Sequence, residues 1–541
     1  MPRSRLMSQL AQMAANQRVA LEKDVSLETV RGWREEAAEQ RRLSPVTRRH
    51  FLKGAGIAAA SGLLAGRARA ATQPTIAVVG AGIAGLSCAL KLADKGYDST
   101  VYEARPQRIG GRMHSSTDYF RQGQVAEFCG ELIDTNHRTI RALARRFDLD
   151  VVDLLAAEPR RSEDTYKFFG SYYPRAQAEA DFAAVYVKLS DALAGAGYPT
   201  TYNLSTAAGR ALDNTSLFDW IEQNIPGGHS SPMGALFDIA YTEELASPTE
   251  VQSSLNMIYL LAFQDHPKHF EMFGSSDERF HIAGGNDQLP QAIANALPAG
   301  TVKKGHALES IRKKPDGRYT LGFDGKPDVT ADYVVLCIPF AILKGLDYAQ
   351  AGFDDLKRYA IQNLGAGKSG KLALQFTSRL WDGTGAWPGI GNGTSYADTG
   401  YMNAWDVTRA QAGDFGILVD YTGGPAAQAM STNTAYADAS RASVRADAAQ
   451  FLARLESVYP GISALANGKA LSSLPHLDPF LKLSYSHWEV GQYQTFGGYE
   501  GVRQANCLFA GEHTSVDFQG FMEGGATSGQ AAAMEIVRDL R

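Results

Sequence analysis

The sequence predicts an α/β protein of two domains, one built on a doubly wound unit that begins near residue 75 and the other on mixed sheet and helices. Three observations carry that prediction. A strand, a glycine turn, a helix and a second strand follow one another from 75 to 103. Residues 155 to 280 read mostly as helices, with breaks at Gly195-Ala-Gly197 and Pro226-Gly-Gly228. Alternating strands resume from 301, and the chain closes on a strand, a turn and a last helix.

The first unit opens with the β-branched run 75–79, followed by Gly80, Gly82 and Gly85 at GxGxxG spacing and an apolar helix over 83–95 that stops at Gly96. A second strand over 99–102 ends on Glu103, 18 residues after Gly85. The spacing has mechanical reasons. Gly80 allows the tight strand-to-helix turn, Gly82 lets the backbone reach a diphosphate, and Gly85 lets helix and strand approach closely. A diphosphate on the helix N-terminus meets free N–H groups and the positive end of the dipole. A carboxylate at the end of the second strand accepts from ribose hydroxyls. The unit is Rossmann-like and predicts dinucleotide binding.

Next comes a glycine doublet bracketed by arginines, Arg108-Ile-Gly110-Gly111-Arg112. Planar guanidinium groups suit diphosphate oxygens there. Near the C-terminus stand Ala510-Gly511-Glu512-His513-Thr514 and then Gly520-Phe521-Met522-Glu523-Gly524-Gly525, ahead of a helix expected over 528–540. These motifs resemble those of the flavin amine oxidase superfamily, the monoamine oxidase and L-amino-acid oxidase type, over most of residues 75–541. The resemblance implies non-covalent FAD rather than NAD as cofactor. It implies an FAD domain assembled from segments 71–155, 280–345 and 500–541. The substrate domain is then formed by the helical region 156–279 and the sheet region 346–499.

The resemblance also assigns roles. The backbone of Val302, in the second FAD segment, pairs with the adenine. Glu512 holds ribityl or phosphate-side hydroxyls, and Gly520, Phe521 and Met522 bring N–H groups and a helix end to the flavin ring. Lys371, ten residues before Trp381, matches the lysine that reaches flavin N5 through water, with Lys368 as its alternate. Tyr493 and Phe521 match the paired aromatic cage, Phe521 departing from the more usual tyrosine. Gln492 falls where animal monoamine oxidases carry the flavin-linking cysteine. On the substrate side stand Glu131, Trp488 and Tyr493. The stretch after Gly130, Glu131-Leu-Ile-Asp134, lacks the arginine that many L-amino-acid oxidases use to pair with a carboxylate. Glu131 either binds a second cationic group of the substrate or hydrogen-bonds FAD or the backbone.

Composition sets outer bounds. With 541 residues, 44% hydrophobic and 21% charged, the chain can bury cores in two or more domains. The four cysteines, Cys88, Cys129, Cys337 and Cys507, have neither metal-like nor disulfide-dense spacing and read as free thiols. The body of the chain has no uninterrupted apolar span of about 18 residues, which argues against a membrane-spanning enzyme. Residues 1–70 carry 13 Lys and Arg against 6 Asp and Glu, so a total charge of −5 leaves about −12 on the rest. That acidic body gives no footing for nucleic acid. Within 1–70, Thr47-Arg48-Arg49-His50-Phe51-Leu52-Lys53 precedes a modestly apolar run and the small-residue site Ala68-Arg-Ala70. This is the pattern of a twin-arginine export signal cleaved after Ala70, behind an unusually long leader. It predicts the export machinery as a partner and a periplasmic or extracellular location.

The implied reaction is FAD-dependent oxidation of a primary amine, with a diamine or polyamine among the candidates. The imine then hydrolyses to a carbonyl product, and dioxygen serves as acceptor to give hydrogen peroxide. The alternatives are an L-amino-acid oxidase, a periplasmic amine dehydrogenase that uses a cytochrome, and a flavin-bearing scaffold without catalysis. The chain is compatible with a homodimer.

Overall fold

A computed structural model describes residues 74–262, 270–274 and 276–541. The expected leader and export signal, residues 1–70, lie outside the described residues. Five parallel strands form the first sheet, in the spatial order Cys507–Phe509, Tyr333–Leu336, Ile76–Val79, Thr100–Glu103, Val302–Lys304. The central strand, Ile76–Val79, is buried throughout, as expected of an apolar β-branched run covered on both faces. Three distant stretches of chain thus share one sheet. The carboxyl ends of four of its strands, at Gly80, Glu103, Cys337 and Gly511, open on one cavity. Ligands bind at that edge of doubly wound sheets because helix N-termini and free backbone groups converge there.

The helix Ile83–Ala93 stands over the sheet. A Cβ on Gly85 would lie 1.9 Å from the Gly80 carbonyl oxygen, so only glycine lets this helix leave the strand at its observed angle. The last helix, Met522–Asp539, packs along it. A Cβ on Gly529 would come within 2.0 Å of the Ala84 carbonyl, so this contact too depends on a missing side chain. That helix begins six residues before the expected position 528. The two glycines after Glu523 are helical and buried because they face the neighbouring helix and the preceding loop.

The second sheet has nine strands. Its main path runs Tyr436–Asp438, Ala466–Ser473, Ser369–Phe376, Gly416–Gly423, Asn403–Asp406, Gly391–Ala397, Glu163–Phe168, Ser171–Tyr172. Most pairs are antiparallel, and Gly391–Ala397 with Glu163–Phe168 is parallel. Along Ser369–Phe376, Leu372 and Leu374 face an apolar core shared with Phe451 and Leu455 of the helix Ala442–Val458. Ser369 and Lys371, an odd number of residues from them in a strand whose side chains repeat every two, face the cavity. Helices Arg175–Ala196, Ala207–Asp213, Leu217–Asn224, Pro232–Glu244 and Ser254–Leu261 make up the helical region. No helix among the described residues is long and apolar enough to cross a membrane.

Candidate active site

A cavity of about 450 Å³ runs from the first sheet to the second. Its nucleotide end is lined by Gly80, Gly82, Glu103, Arg108, Gly110, Gly111 and Arg112. The space over Gly82 is open, and no side chain caps the helix that starts at Ile83, which leaves its N–H groups for an anion. Glu103 accepts from the N–H groups of Ala81 (2.8 Å) and Arg105 (2.9 Å) and still lines the cavity, as a ribose acceptor requires. Arg108 donates to the Gly111 carbonyl (2.8 Å), which fixes the glycine doublet. This cradle fits the diphosphate and ribose of FAD. Gly85 does its work behind the cavity wall, in the close packing already described.

Two nucleotide-side expectations are revised. Val302 is held in the edge strand by pairing with Val101, and the cavity is met instead by His306, Ala307 and Leu308. An adenine bound at this end would meet the chain about five residues downstream, where it leaves the sheet. Glu512 lines the cavity, but its carboxylate is occupied. It accepts from Arg112 Nη1 (2.8 Å), the Ser486 N–H (3.2 Å) and hydroxyl (2.7 Å), and the Gly520 N–H (2.9 Å). Burial alone would raise this carboxyl, but Arg112, together with His513 and the Ser486 hydroxyl, outweighs it, so the group is held below its ordinary value. Glu512 ties the Arg112 loop to the Gly520 turn and leaves little acceptor capacity for ribityl hydroxyls.

Gly511, Gly520, Phe521 and Met522 all border the cavity, with Phe521 preceding the first turn of the last helix. Glu523 turns away. Its carboxylate accepts from the N–H groups of Thr139 (2.9 Å) and Ile140 (2.8 Å), capping the helix Arg138–Arg146.

At the substrate end, Lys371 lines the cavity, while Lys368 is exposed and bonds Gln428. Lys371 Nζ donates to Glu131 Oε2 (2.8 Å) and to the Cys129 carbonyl (2.9 Å). Two of its three donors are thereby used, and one remains for a water in the cavity. Glu131 Oε1 accepts from the Trp405 indole N–H (2.9 Å). Burial would raise the Glu131 carboxyl, but Lys371 and these bonds bring it below its ordinary value. Glu131 is therefore neutralised by Lys371, and its expected role in binding a second cationic group is not supported by its partners.

The aromatic walls are Trp405, Tyr421, Tyr485 and Phe521. Tyr421 stands beside Lys371 in the strand register, and its hydroxyl lies 2.7 Å from that of Tyr485. Tyr485 in turn donates to the Glu243 carbonyl (2.9 Å). Tyr493 and Trp488, expected here, are not among the lining residues. Their rings pack on each other at 4.3 Å, Tyr493 donates to Asn256 Oδ1 (2.9 Å), and Trp488 donates to Glu500 (2.8 Å). The turn at Gly491 carries Tyr493 into the short helix Gln492–Phe496, against the helical region. Tyr485 is the tyrosine of this segment that lines the cavity together with Phe521. Gln492 likewise points elsewhere, to the Asn363 carbonyl (2.7 Å), and the residue before the wall tyrosine is Ser484, which has no thiol. Cys129 and Cys337, two of the four free thiols, do line the cavity.

Glu244 and Glu278 complete this end. Burial, then Glu244 and Asp134, push the Glu278 carboxyl well above the ordinary range, with Arg409 a weaker opposing influence. Among the described residues, the arginines that line the cavity, Arg105, Arg108 and Arg112, come from the loop at the nucleotide end. Trp405, Tyr421, Tyr485, Glu244 and Glu278 were not singled out in the sequence. They stand alone in unremarkable segments, and only strand register and loop packing bring them together.

The family model for flavin containing amine oxidoreductases matches residues 83–537. The chain belongs to this family. An L-amino-acid oxidase from Sistrurus catenatus edwardsii is 22% identical over 488 residues, 86% of this chain and 87% of that protein. Among solved structures, cyclohexylamine oxidase from Brevibacterium oxydans IH-35A superposes with a TM-score of 0.74 at 19% identity. Putrescine oxidase bound to putrescine superposes with a TM-score of 0.71 at 20% identity. Each covers 86% of this chain and 99% of its own. The two-domain fold is the one these structures share. As a member of the flavin amine oxidase family, the protein is an oxidoreductase acting on amines, and FAD is its cofactor.

Proposed function

We propose that this protein is an oxidase of primary amines whose preferred substrates carry a second cationic group, as diamines and polyamines do. One observation carries the reading. The substrate end of the cavity presents Glu244 and Glu278 beyond an aromatic wall, and among the described residues the lining arginines are at the other end. An α-carboxylate would meet two carboxyl groups there, while a second ammonium would meet their oxygens and favour their charged form. The walls of Trp405, Tyr421, Tyr485 and Phe521 desolvate the reacting amine and favour its neutral, reactive form. Bound FAD would supply the two-electron chemistry, accepting hydrogen from the amine-bearing carbon. Lys371, anchored to Glu131, is placed to hold a water within the site. Amine, dioxygen and water would leave as a carbonyl compound, ammonia and hydrogen peroxide. The twin-arginine pattern supports export of the folded, flavin-loaded enzyme.

A second reading, an L-amino-acid oxidase, is favoured by the match to the snake enzyme over most of both chains. Anaerobic mixing decides between them. The purified yellow protein is mixed separately with putrescine, hexylamine and a panel of L-amino acids, and flavin bleaching is followed. Bleaching by the amines, fastest at low concentration with putrescine, is the expected result. Bleaching by amino acids with the amines inert would overturn the proposal. Readmission of air with peroxide detection then tests the acceptor, since sluggish reoxidation would point to a cytochrome instead.

A further inference from the structure

Behind the substrate end lies a buried pair that touches two of its walls. His137 is 1% exposed. Its Nδ1 accepts from the Asp134 N–H (3.0 Å), so the neutral ring carries its proton on Nε2, which faces Asp134 Oδ2 at 3.4 Å. The ring packs against Phe521, with centroids 5.1 Å apart at 59°, and edge-on against Phe518 at 5.6 Å. The Asp134 carboxylate reaches the other way. It accepts from the Ser276 hydroxyl (2.7 Å) and from the Glu278 N–H (3.0 Å). Glu278 sits at φ +43°, a left-handed conformation that a non-glycine residue keeps only when its surroundings impose it. The Asp134 bond to its N–H is one such constraint. His137 is also the N-cap of the helix whose first N–H groups, those of Thr139 and Ile140, donate to the Glu523 carboxylate.

We propose that Asp134 and His137 form a positioning pair that sets both walls of the substrate end, the Phe521 ring through the imidazole and Glu278 through the carboxylate. This rests on the reading that Phe521 and Glu278 face the substrate. The two arms act on different constants. Phe521 borders the reacting amine, so the imidazole arm acts on the rate of flavin reduction. Glu278 meets the distal cation, so the carboxylate arm acts on KM for a diamine alone.

A double-mutant cycle tests the imidazole arm. His137→Ala, Phe521→Ala and the double variant are compared with wild type in anaerobic flavin reduction, using whichever substrate bleaches the wild-type enzyme. His137→Ala should slow reduction about tenfold, and the double variant should be no slower than Phe521→Ala alone. His137→Phe, which keeps a ring behind Phe521 but loses the bond to Asp134, should recover most of the rate even though its melting temperature falls. Independent, multiplying effects in the cycle, or a rate that tracks melting temperature across the set, would overturn the imidazole arm. For the other arm, Asp134→Ala should raise KM for putrescine and leave KM for hexylamine unchanged. Ser276→Ala, a milder change, should shift it in the same direction. An equal rise for both amines would sink that arm. Should only amino acids bleach the flavin, the diamine reading fails, while coupling between His137 and Phe521 in the cycle still upholds or overturns the imidazole arm.

Discussion

The two ends of the cavity are built in opposite ways. At the nucleotide end the lining comes mostly from backbone N–H groups, a helix terminus and side chains within one stretch, 80–112, with further contributions from 306–308, Cys337 and 511–522. At the substrate end strands, loops and helices from distant parts of the chain each deliver one or two side chains: Glu131, Glu244, Glu278, Lys371, Trp405, Tyr421 and Tyr485. At Gly80 and Gly85 the backbone cradle leaves no room for a side chain, whereas an assembled wall tolerates single changes at a cost in rate or selectivity. That difference orders the expected effects of substitution.

The sharpest break is Gly85→Val. Its side chain would enter the space of the Gly80 carbonyl, force the helix off the sheet and dissolve the cradle. Overpacking of this kind costs about 1–3 kcal/mol or more, and a clash with backbone falls at the high end. The variant should be isolated colourless or insoluble, and a yellow protein of normal melting temperature would contradict the packing argument. Lys371→Met comes next. It should keep its flavin and lose roughly 10²-fold in reduction rate. It leaves Glu131 buried without its cation, which costs about 3–5 kcal/mol, and adding Glu131→Gln should restore part of the stability but not the rate.

Tyr485→Ala and Tyr493→Ala sharpen the comparison within the substrate domain. Tyr485 is a wall and Tyr493 a core residue, so the first should lose up to about tenfold in reduction rate. The second should lower stability by about 3–5 kcal/mol with reduction per folded enzyme little changed. The reverse pattern would return Tyr493 to the site.

Glu278→Gln should raise KM for putrescine about tenfold and spare hexylamine. The pH dependence has a definite sign. The Glu278 carboxyl is raised, so it is neutral at low pH and becomes anionic as pH climbs through its titration. KM for the diamine should therefore fall as pH rises, and the glutamine variant should lack that limb. The smallest effect concerns the cofactor. Acid precipitation should release FAD to the supernatant, and flavin retained in the pellet would direct attention to Cys129 or Cys337.

Legibility in the sequence followed the same divide. The strand–turn–helix unit, the Arg108–Arg112 doublet and the Gly511–Met522 segment could be read directly. Their chemistry depends on residues close together in the chain, where spacing fixes geometry. Val302 was displaced toward Ala307 because the sheet's edge pairing decides where the chain turns into the cavity. Tyr493 and Trp488 stood in a recognisable segment, yet the Gly491 turn sends them into the core and leaves Tyr485, three residues before Trp488, at the wall. Glu131 was placed correctly in the cavity, but its partner Lys371 lies 240 residues away, and that ion pair changes its role.

The sequence by itself determined that a dinucleotide cradle forms, which cofactor chemistry it suits, and that a lysine-bearing strand approaches it. Glycines, short spacings and a strand period of two are local constraints that act within a few residues. Only the tertiary structure decided which aromatics line the cavity, that Glu131 is spent on Lys371, and that Glu244 and Glu278 bring two carboxyl groups to its far end. Those properties depend on burial and on partners supplied by distant segments, because the energy of a charge is set by what surrounds it in space.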